Sequence, residues 1–154
     1  MERIAKFYKI SNNSEIESFY NDIVLPKRQT EGSAGYDFYI PYDVTIHPNE
    51  SVKILTGVRC KIESGYVLMI FPRSGLGTKY QLMLNNTVGI IDSDYYNADN
   101  EGHIIITMTN HSDKVLELKK KDRFAQGVFL KFGITEDDDT KDKRVGGHGS
   151  TGLK

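Results

Sequence analysis

From Phe38 onward the chain is written in short runs of β-branched and aromatic residues, interrupted by turn-forming residues about every eight to twelve positions. That rhythm predicts strands over Val44–His47, Ser51–Ile62, Tyr66–Phe71, Leu82–Ile91, Ile104–Thr109, Val115–Leu118 and Ala125–Lys131. The breaks fall at Pro48-Asn49, Ser64-Gly65, Gly75 with Gly77, the 97–102 stretch and Asn110–Asp113. In YVLMIF (66–71) the apolar residues face both ways, so a sandwich or barrel is expected in preference to a one-sided sheet. The only helix signal is near the start, where Ser14 and Glu17 have capping-box spacing at the head of IESFYNDI; it predicts a short accessory helix.

The end of the chain breaks this pattern. After Gly133 comes ITEDDDTKDKR, charged and nearly free of core residues, and then VGGHGSTGLK, which holds 4 of the chain's 14 glycines. Such a composition cannot bury enough apolar surface to fold alone. Residues 1–133 are therefore expected to form one β domain and 134–154 a charged linker with a flexible Gly-rich flap. The flap is either plainly disordered or ordered by a ligand or a neighbouring subunit, its glycines letting backbone N–H groups approach an anion closely.

Length and charge narrow the function. The 154 residues suit a single domain. With 20 basic and 21 acidic side chains interspersed and a formal charge of −1, the chain has no electrostatic footprint for nucleic acid or a membrane surface, so any phosphate binding is local. No apolar leader opens the sequence and no apolar run approaches the roughly 18 residues of a membrane span, so a soluble cytoplasmic protein is expected. Cys60 is the only cysteine, which excludes an internal disulfide and a Cys-pair zinc site. His47, His103, His111 and His148 show no HExxH or HxE spacing, which disfavours zinc hydrolases and zinc deaminases.

Two stretches carry candidate chemistry. Gly89–His103 reads GIIDSDYYNADNEGH. Counted from Asp92 as an EF-hand loop, position 5 is Tyr96, position 6 is Asn97 and position 12 is His103, so it is not a calcium loop. On its own it reads equally well as a hairpin with a polar, water-facing tip. Phe71–Tyr80 reads FPRSGLGTKY and gathers a guanidinium, a hydroxyl and a flexible backbone at Arg73, Ser74 and Gly75, a compact phosphate-binding set. It lacks GxxxxGK[ST], so it is not a Walker loop, and alone it reads equally as a surface turn.

Four further segments fall into order around it: SAGYDF (33–38), NNTVGIIDSDYY (85–96), KDRFAQG (121–127) and GGHGSTG (146–152). With PRSG they resemble the five ordered motifs of the trimeric deoxyuridine triphosphate nucleotidohydrolases, the dUTPases, over roughly residues 24–152. The resemblance implies an all-β, jelly-roll-like distorted barrel. It implies a homotrimer with active sites at subunit interfaces, converting dUTP to dUMP and pyrophosphate with Mg2+.

By that resemblance Asp92 is the base that activates water for attack on the α-phosphorus, a role suited to a carboxylate. Arg73, Ser74, Gly75 and Gln126 resemble the phosphate and water-orienting ligands. Asn86 resembles the uracil-reading amide, aided by backbone groups at Gly89, Ile90 and Ile91 and near Ile105. Tyr95 resembles the tyrosine that packs under the deoxyribose and excludes a 2′-hydroxyl. Arg144, His148, Gly149 and Ser150 resemble the tail ligands. Asp37 resembles the aspartate near the metal's water shell; a turn-stabilising carboxylate after Gly35 is the plainer reading of the same residue. A site that pairs with uracil would leave unmatched groups against cytosine and clash with the 5-methyl of thymine.

Three departures stand out. The tip YNADNEG is about five residues longer than the commonest family form. Arg144 lies one residue nearer the glycine pair than the family arginine, with Lys143 at the usual spacing. His148 stands where the family has a phenylalanine stacked on uracil, and its imidazole can stack likewise or, when protonated, approach a phosphate. Two other readings compete: the related dCTP deaminase, against which the Asp92–Tyr95 segment argues, and a regulatory member of the fold acting through a protein partner, for which the long tip is the one feature.

Overall fold

In the computed structural model the described residues are 1–146, so His148, Gly149 and Ser150 lie outside them. The described chain forms strands β1 (Ala5–Lys9), β2 (Tyr36–Tyr39), β3 (Val44–Ile46), β4 (Ser51–Leu55), β5 (Val58–Ile62), β6 (Tyr66–Pro72), β7 (Leu82–Leu84), β8 (Gly89–Ile91), β9 (Ile105–Asn110), β10 (Leu116–Leu118) and β11 (Arg123–Lys131). They pair antiparallel in sheets ordered β2-β11-β6-β8, β4-β9-β7, β1-β5 and β10-β3. This is an all-β, jelly-roll-like arrangement that does not close into one continuous barrel. Phe38, Ile40, Ile46, Ile54, Leu68, Ile70, Leu82, Met108 and Phe124 fill its centre and are essentially inaccessible to water. On β6 only Leu68 and Ile70 are fully buried, while Val67, Met69 and Phe71 on the opposite face are half-covered.

Two runs that read as single strands each change sheet midway. Ser51–Ile62 breaks at Thr56-Gly57, where Gly57 takes φ +72°. A β-carbon there would run into the Ile23 side chain, so glycine is required both by conformation and by space. Thr56 Oγ1 donates to the Ile104 carbonyl at 2.6 Å and accepts from Val58 N–H at 3.1 Å, which stands in for the ladder bonds lost at the corner. Leu82–Ile91 breaks at 85–88: β7 pairs with β9 through Leu84↔Met108, whereas β8 pairs with β6 through Ile70↔Gly89. Thr87, at φ 71°, closes this turn by donating its N–H to the Leu84 carbonyl at 2.9 Å. Both corners are short polar or glycine interruptions, Thr56-Gly57 and Asn85-Asn86-Thr87, flanked on each side by apolar residues, so the hydrophobic pattern reads across them.

The short helix is present but elsewhere. Residues 14–19 form successive turns that lead into a one-turn 3-10 segment at Tyr20–Asp22, not an α-helix. Asn13, not Ser14, caps it, accepting from the Glu15 N–H at 2.9 Å. Its apolar residues Ile16, Phe19 and Ile23 are buried all the same. The α-helix, α1, spans Ser74–Tyr80 directly after Arg73 and ends at Gln81 in the left-handed region. Gly75 and Gly77 lower its intrinsic propensity, which is why the stretch read as a turn.

The buried corner at Gly57 depends on His103, which is 5% exposed and accepts the Gly57 N–H on Nε2 at 2.9 Å. The imidazole is therefore neutral with its proton on Nδ1. Burial holds its pKa below the ordinary 6.5; Glu15 and Glu101 oppose the shift and Lys53 adds to it. A histidine depressed in this way gives stability that is present above the unfolded pKa and lost as pH falls. Thermal midpoints should be level from about pH 8 to 7 and decline below about 6.5. His103→Gln keeps an acceptor and should flatten part of that decline; parallel declines in both proteins would identify another titrating group.

Candidate functional site

The phosphate-type residues share one face at one end of the four-stranded sheet. Gln126 on β11 stands opposite Asp37 on β2 and Phe71 on β6, and Arg123 stands opposite Tyr39. In a regular strand residues three apart point to opposite faces. The register shift between Arg123 and Ala125 inserts Phe124 as an extra residue, so Arg123 and Gln126 end on the same face as Asp37 and Tyr39. Arg73 continues the alternation of β6 two residues beyond Phe71, and its N–H is held by the Phe124 carbonyl at 3.2 Å. Arg73, Gly75, Lys79, Lys121 and Arg123 line a cleft of ≈ 410 Å³ that also includes Glu117 and Asp122. Ser74 and Gly75 are exposed at the start of α1.

Two contacts position this set. Arg123 Nη1 pairs with Asp37 Oδ2 at 3.2 Å, their side chains 35% and 13% exposed. Among the described residues Asp37 Oδ1 has no hydrogen-bond partner, so a role toward a metal's water shell would fall to that oxygen. Gly35 packs under Gln126: a β-carbon at Gly35 would sit 2.5 Å from Oε1, so the missing side chain leaves room for the amide. Arg123 belongs to KDRFAQG, but its place on this face depends on the bulge, which residue spacing does not show.

A second group lies along β8. In the 85–88 turn Asn86 is exposed, and its side chain makes no hydrogen bond to the described residues. Its neighbour Asn85 is committed, accepting from Thr109 Oγ1 at 2.6 Å. Because the turn carries the chain from β9 to β6, the outer edge of Gly89–Ile91 has no strand partner, and neither has one edge of Ile105 and Ile106. Those two edges offer backbone donors and acceptors to a planar group with its own hydrogen-bonding edge. Gly89 is buried with only 3.1 Å between an added β-carbon and Ile70 Cβ, so a larger residue would push the strands apart.

Beyond β8 the expected hairpin is instead a 3-10 segment, Ser93–Asn97, with Asp92 as its extended N-cap. Asp92 is 48% exposed and Asp94 58%. Arg144 reaches both, Nη2 to Asp92 Oδ2 at 2.9 Å and Nε to Asp94 Oδ1 at 2.8 Å, with its guanidinium carbon 5.9 Å from the Tyr95 ring centre. Within the chain this arginine bridges the two carboxylates. Tyr95 is 7% exposed, and burial raises its phenol pKa. From Lys131 to Lys143 every residue is exposed.

Arg73 and Asp92 do not meet on one chain. Ile91 stands opposite Leu68, while Arg73 lies beyond the other end of β6. Five residues at ~3.3 Å each separate Arg73 from Leu68 by about 17 Å. The Asn86 turn sits at the Arg73 end and Asp92 at the far end.

A family model described as dUTPase matches residues 21–152. The chain is 44% identical over 134 residues to the deoxyuridine 5′-triphosphate nucleotidohydrolase of Lactococcus lactis, covering 85% of this chain and 89% of that protein. It is similar to the solved dUTPase from Streptococcus mutans at 37% identity and TM-score 0.70, over 84% of this chain and 98% of that one. In fold it also matches, at 20% identity and TM-score 0.69, a mutant dUTPase from phage phi11 of S. aureus whose structure reveals the coordination of a structural Mg(II) ion; the match covers 91% of this chain and 98% of that one.

If Asp37 is committed to Arg123, removing either partner strands the other. Arg123→Ala and Asp37→Ala should each cost about 1 kcal/mol in denaturant unfolding, and the double variant little more than either alone. Additive losses would mean that the two side chains act independently.

Proposed function

Because the chain belongs to the dUTPase family and hydrolyses dUTP to dUMP and pyrophosphate, we propose that its active site is completed between the chains of a homotrimer. Asp92, Tyr95 and the slot between β8 and β9 come from one chain, and Arg73, Ser74, Gly75 and Gln126 from another. The separation of Arg73 from Asp92 along β6 carries this reading: a base and a phosphate ligand serving one phosphorus must lie within a few ångströms of it.

In this assembly uracil enters the slot, pairing with Asn86 and with backbone groups of Gly89, Ile90, Ile91 and Ile105. Cytosine would leave buried groups unmatched. Tyr95 lies under the deoxyribose. Asp92 takes a proton from water as the water oxygen bonds to the α-phosphorus, and the bond from that phosphorus to the oxygen bridging to the β-phosphate breaks. Donors at Arg73, Ser74 and Gly75 receive the charge on the departing pyrophosphate, and the Gln126 amide orients the water. Arg144, His148, Gly149 and Ser150 supply the closing tail, of which the last three fall outside the described residues.

The donor set suits a metal that arrives with the substrate. No group of three or more His, Cys, Asp or Glu side chains that could hold an ion occurs among the described residues. Mg2+, which dehydrates reluctantly, would be held by triphosphate oxygens and water, with Asp37 Oδ1 touching its hydration shell. When bound it neutralises triphosphate charge. Removing dUTP from the cytoplasmic pool limits uracil incorporation into DNA and supplies dUMP for thymidylate synthesis.

The dUTPase match favours this reading over a dCTP deaminase. The extended stretch that pointed to a regulatory protein partner is partly folded in, with Ala98 and Gly102 buried and Asn97 and Asp99 exposed. No described helix is long and apolar enough to cross a membrane.

Complementation tests the shared site. Arg73→Ala and Asp92→Asn should each lower kcat by at least about 10²-fold as pure trimers. Co-refolded together, they should regain turnover at about a quarter of the sites, those drawing each intact residue from a different chain. A mixture no more active than its components would place both residues in a site within one chain.

A further inference from the structure

The stretch in which this chain exceeds the common family length is folded back as a support under Tyr95. Asn100 Nδ2 donates to Tyr95 Oη at 2.8 Å, and the Tyr95 hydroxyl donates in turn to the His103 carbonyl at 2.5 Å. The amide cannot be turned the other way, because Asn100 Oδ1 accepts the Gly102 N–H at 3.1 Å. Gly102, at φ +72°, lies so close that an added β-carbon would stand 2.6 Å from the Tyr95 carbonyl oxygen. The loop is itself anchored: Arg59 stacks 3.5 Å from the centre of the Tyr96 ring and donates to the Tyr96 carbonyl, and Glu101 accepts from Ser11 Oγ at 2.8 Å.

A ring that rejects a 2′-hydroxyl by contact works only if it cannot yield. Tyr95 has two side-chain torsions, and a hydrogen bond on each side of its oxygen fixes the ring at its far end as well as at its root. The geometry points to Asn100 as a positioning residue for sugar selectivity, holding the Tyr95 ring against the sugar so that a ribonucleotide is excluded. This rests on the sugar-reading role proposed for Tyr95.

The test is the ratio of kcat/KM for dUTP to that for UTP, read by pyrophosphate release in the full-length Mg2+-activated enzyme. Asn100→Ala and Tyr95→Phe each remove one end of the same hydrogen bond and should each lower the ratio about fivefold or more, the scale of one net hydrogen bond. The double variant should lower it no further. A structural role alone would slow both substrates together and leave the ratio unchanged, which would overturn the inference. Should Asn100→Ala fold poorly, Asn100→Ser, which keeps a hydroxyl acceptor for the Gly102 N–H but is too short to reach Tyr95 Oη, takes its place and should lower the ratio as Asn100→Ala would. Tyr95→Ala separates the two levels: if it collapses the ratio while Tyr95→Phe preserves it, the lock is wrong and the sugar-reading role stands. If Tyr95→Ala preserves the ratio, that role fails and the lock with it.

Discussion

The antiparallel register of β6 with its two neighbours is the constraint on which the rest depends. One flank pairs with β11 and carries Gln126 to the end where Arg73 emerges; the other pairs with β8 and delivers Asp92 to the opposite end. Each bond in those ladders satisfies a backbone group that would otherwise be buried unpaired, so register cannot slip without turning every side chain to the wrong face. A rigid strand thus holds Asp92 and Arg73 apart on one chain, which is what the proposed shared site must overcome. Symmetric repetition is an economical way to bring them together, because each copy offers the half that its neighbour lacks.

Local irregularities then set the direction of individual side chains. The extra residue at Phe124 brings Arg123 onto the face of Gln126, Gly35 leaves room for the Gln126 amide, and the 85–88 turn opens a slot by moving the chain from one sheet to another. None of these is a large energetic feature. Each instead decides which groups remain free to bind, which is the usual function of bulges and glycine positions beside a site.

The residue types of the site were legible in sequence because their chemistry is local: PRSG and DSDY announce a guanidinium, hydroxyl, carboxylate and phenol in fixed order. The strands were legible wherever apolar runs ended at turn residues. What escaped was three-dimensional. Thr56-Gly57 and the polar 85–88 turn are short breaks between apolar segments that otherwise read as one strand each, β1 and β2 lie at or before the start of the stretch where the rhythm is clear, and the helix after Arg73 is disguised by two glycines. The pairing of Asp37 with Arg123 needs the bulge, and the support of Tyr95 by Asn100 needs the loop to fold back, neither of which is written in residue spacing.

The division of the site between chains is tested most directly by sedimentation of the purified protein with specific activity followed across the same dilution series. Activity should travel with a species three times the 17.5 kDa chain and fall as that species dissociates. A 17.5 kDa species that retains full activity per chain would contradict it.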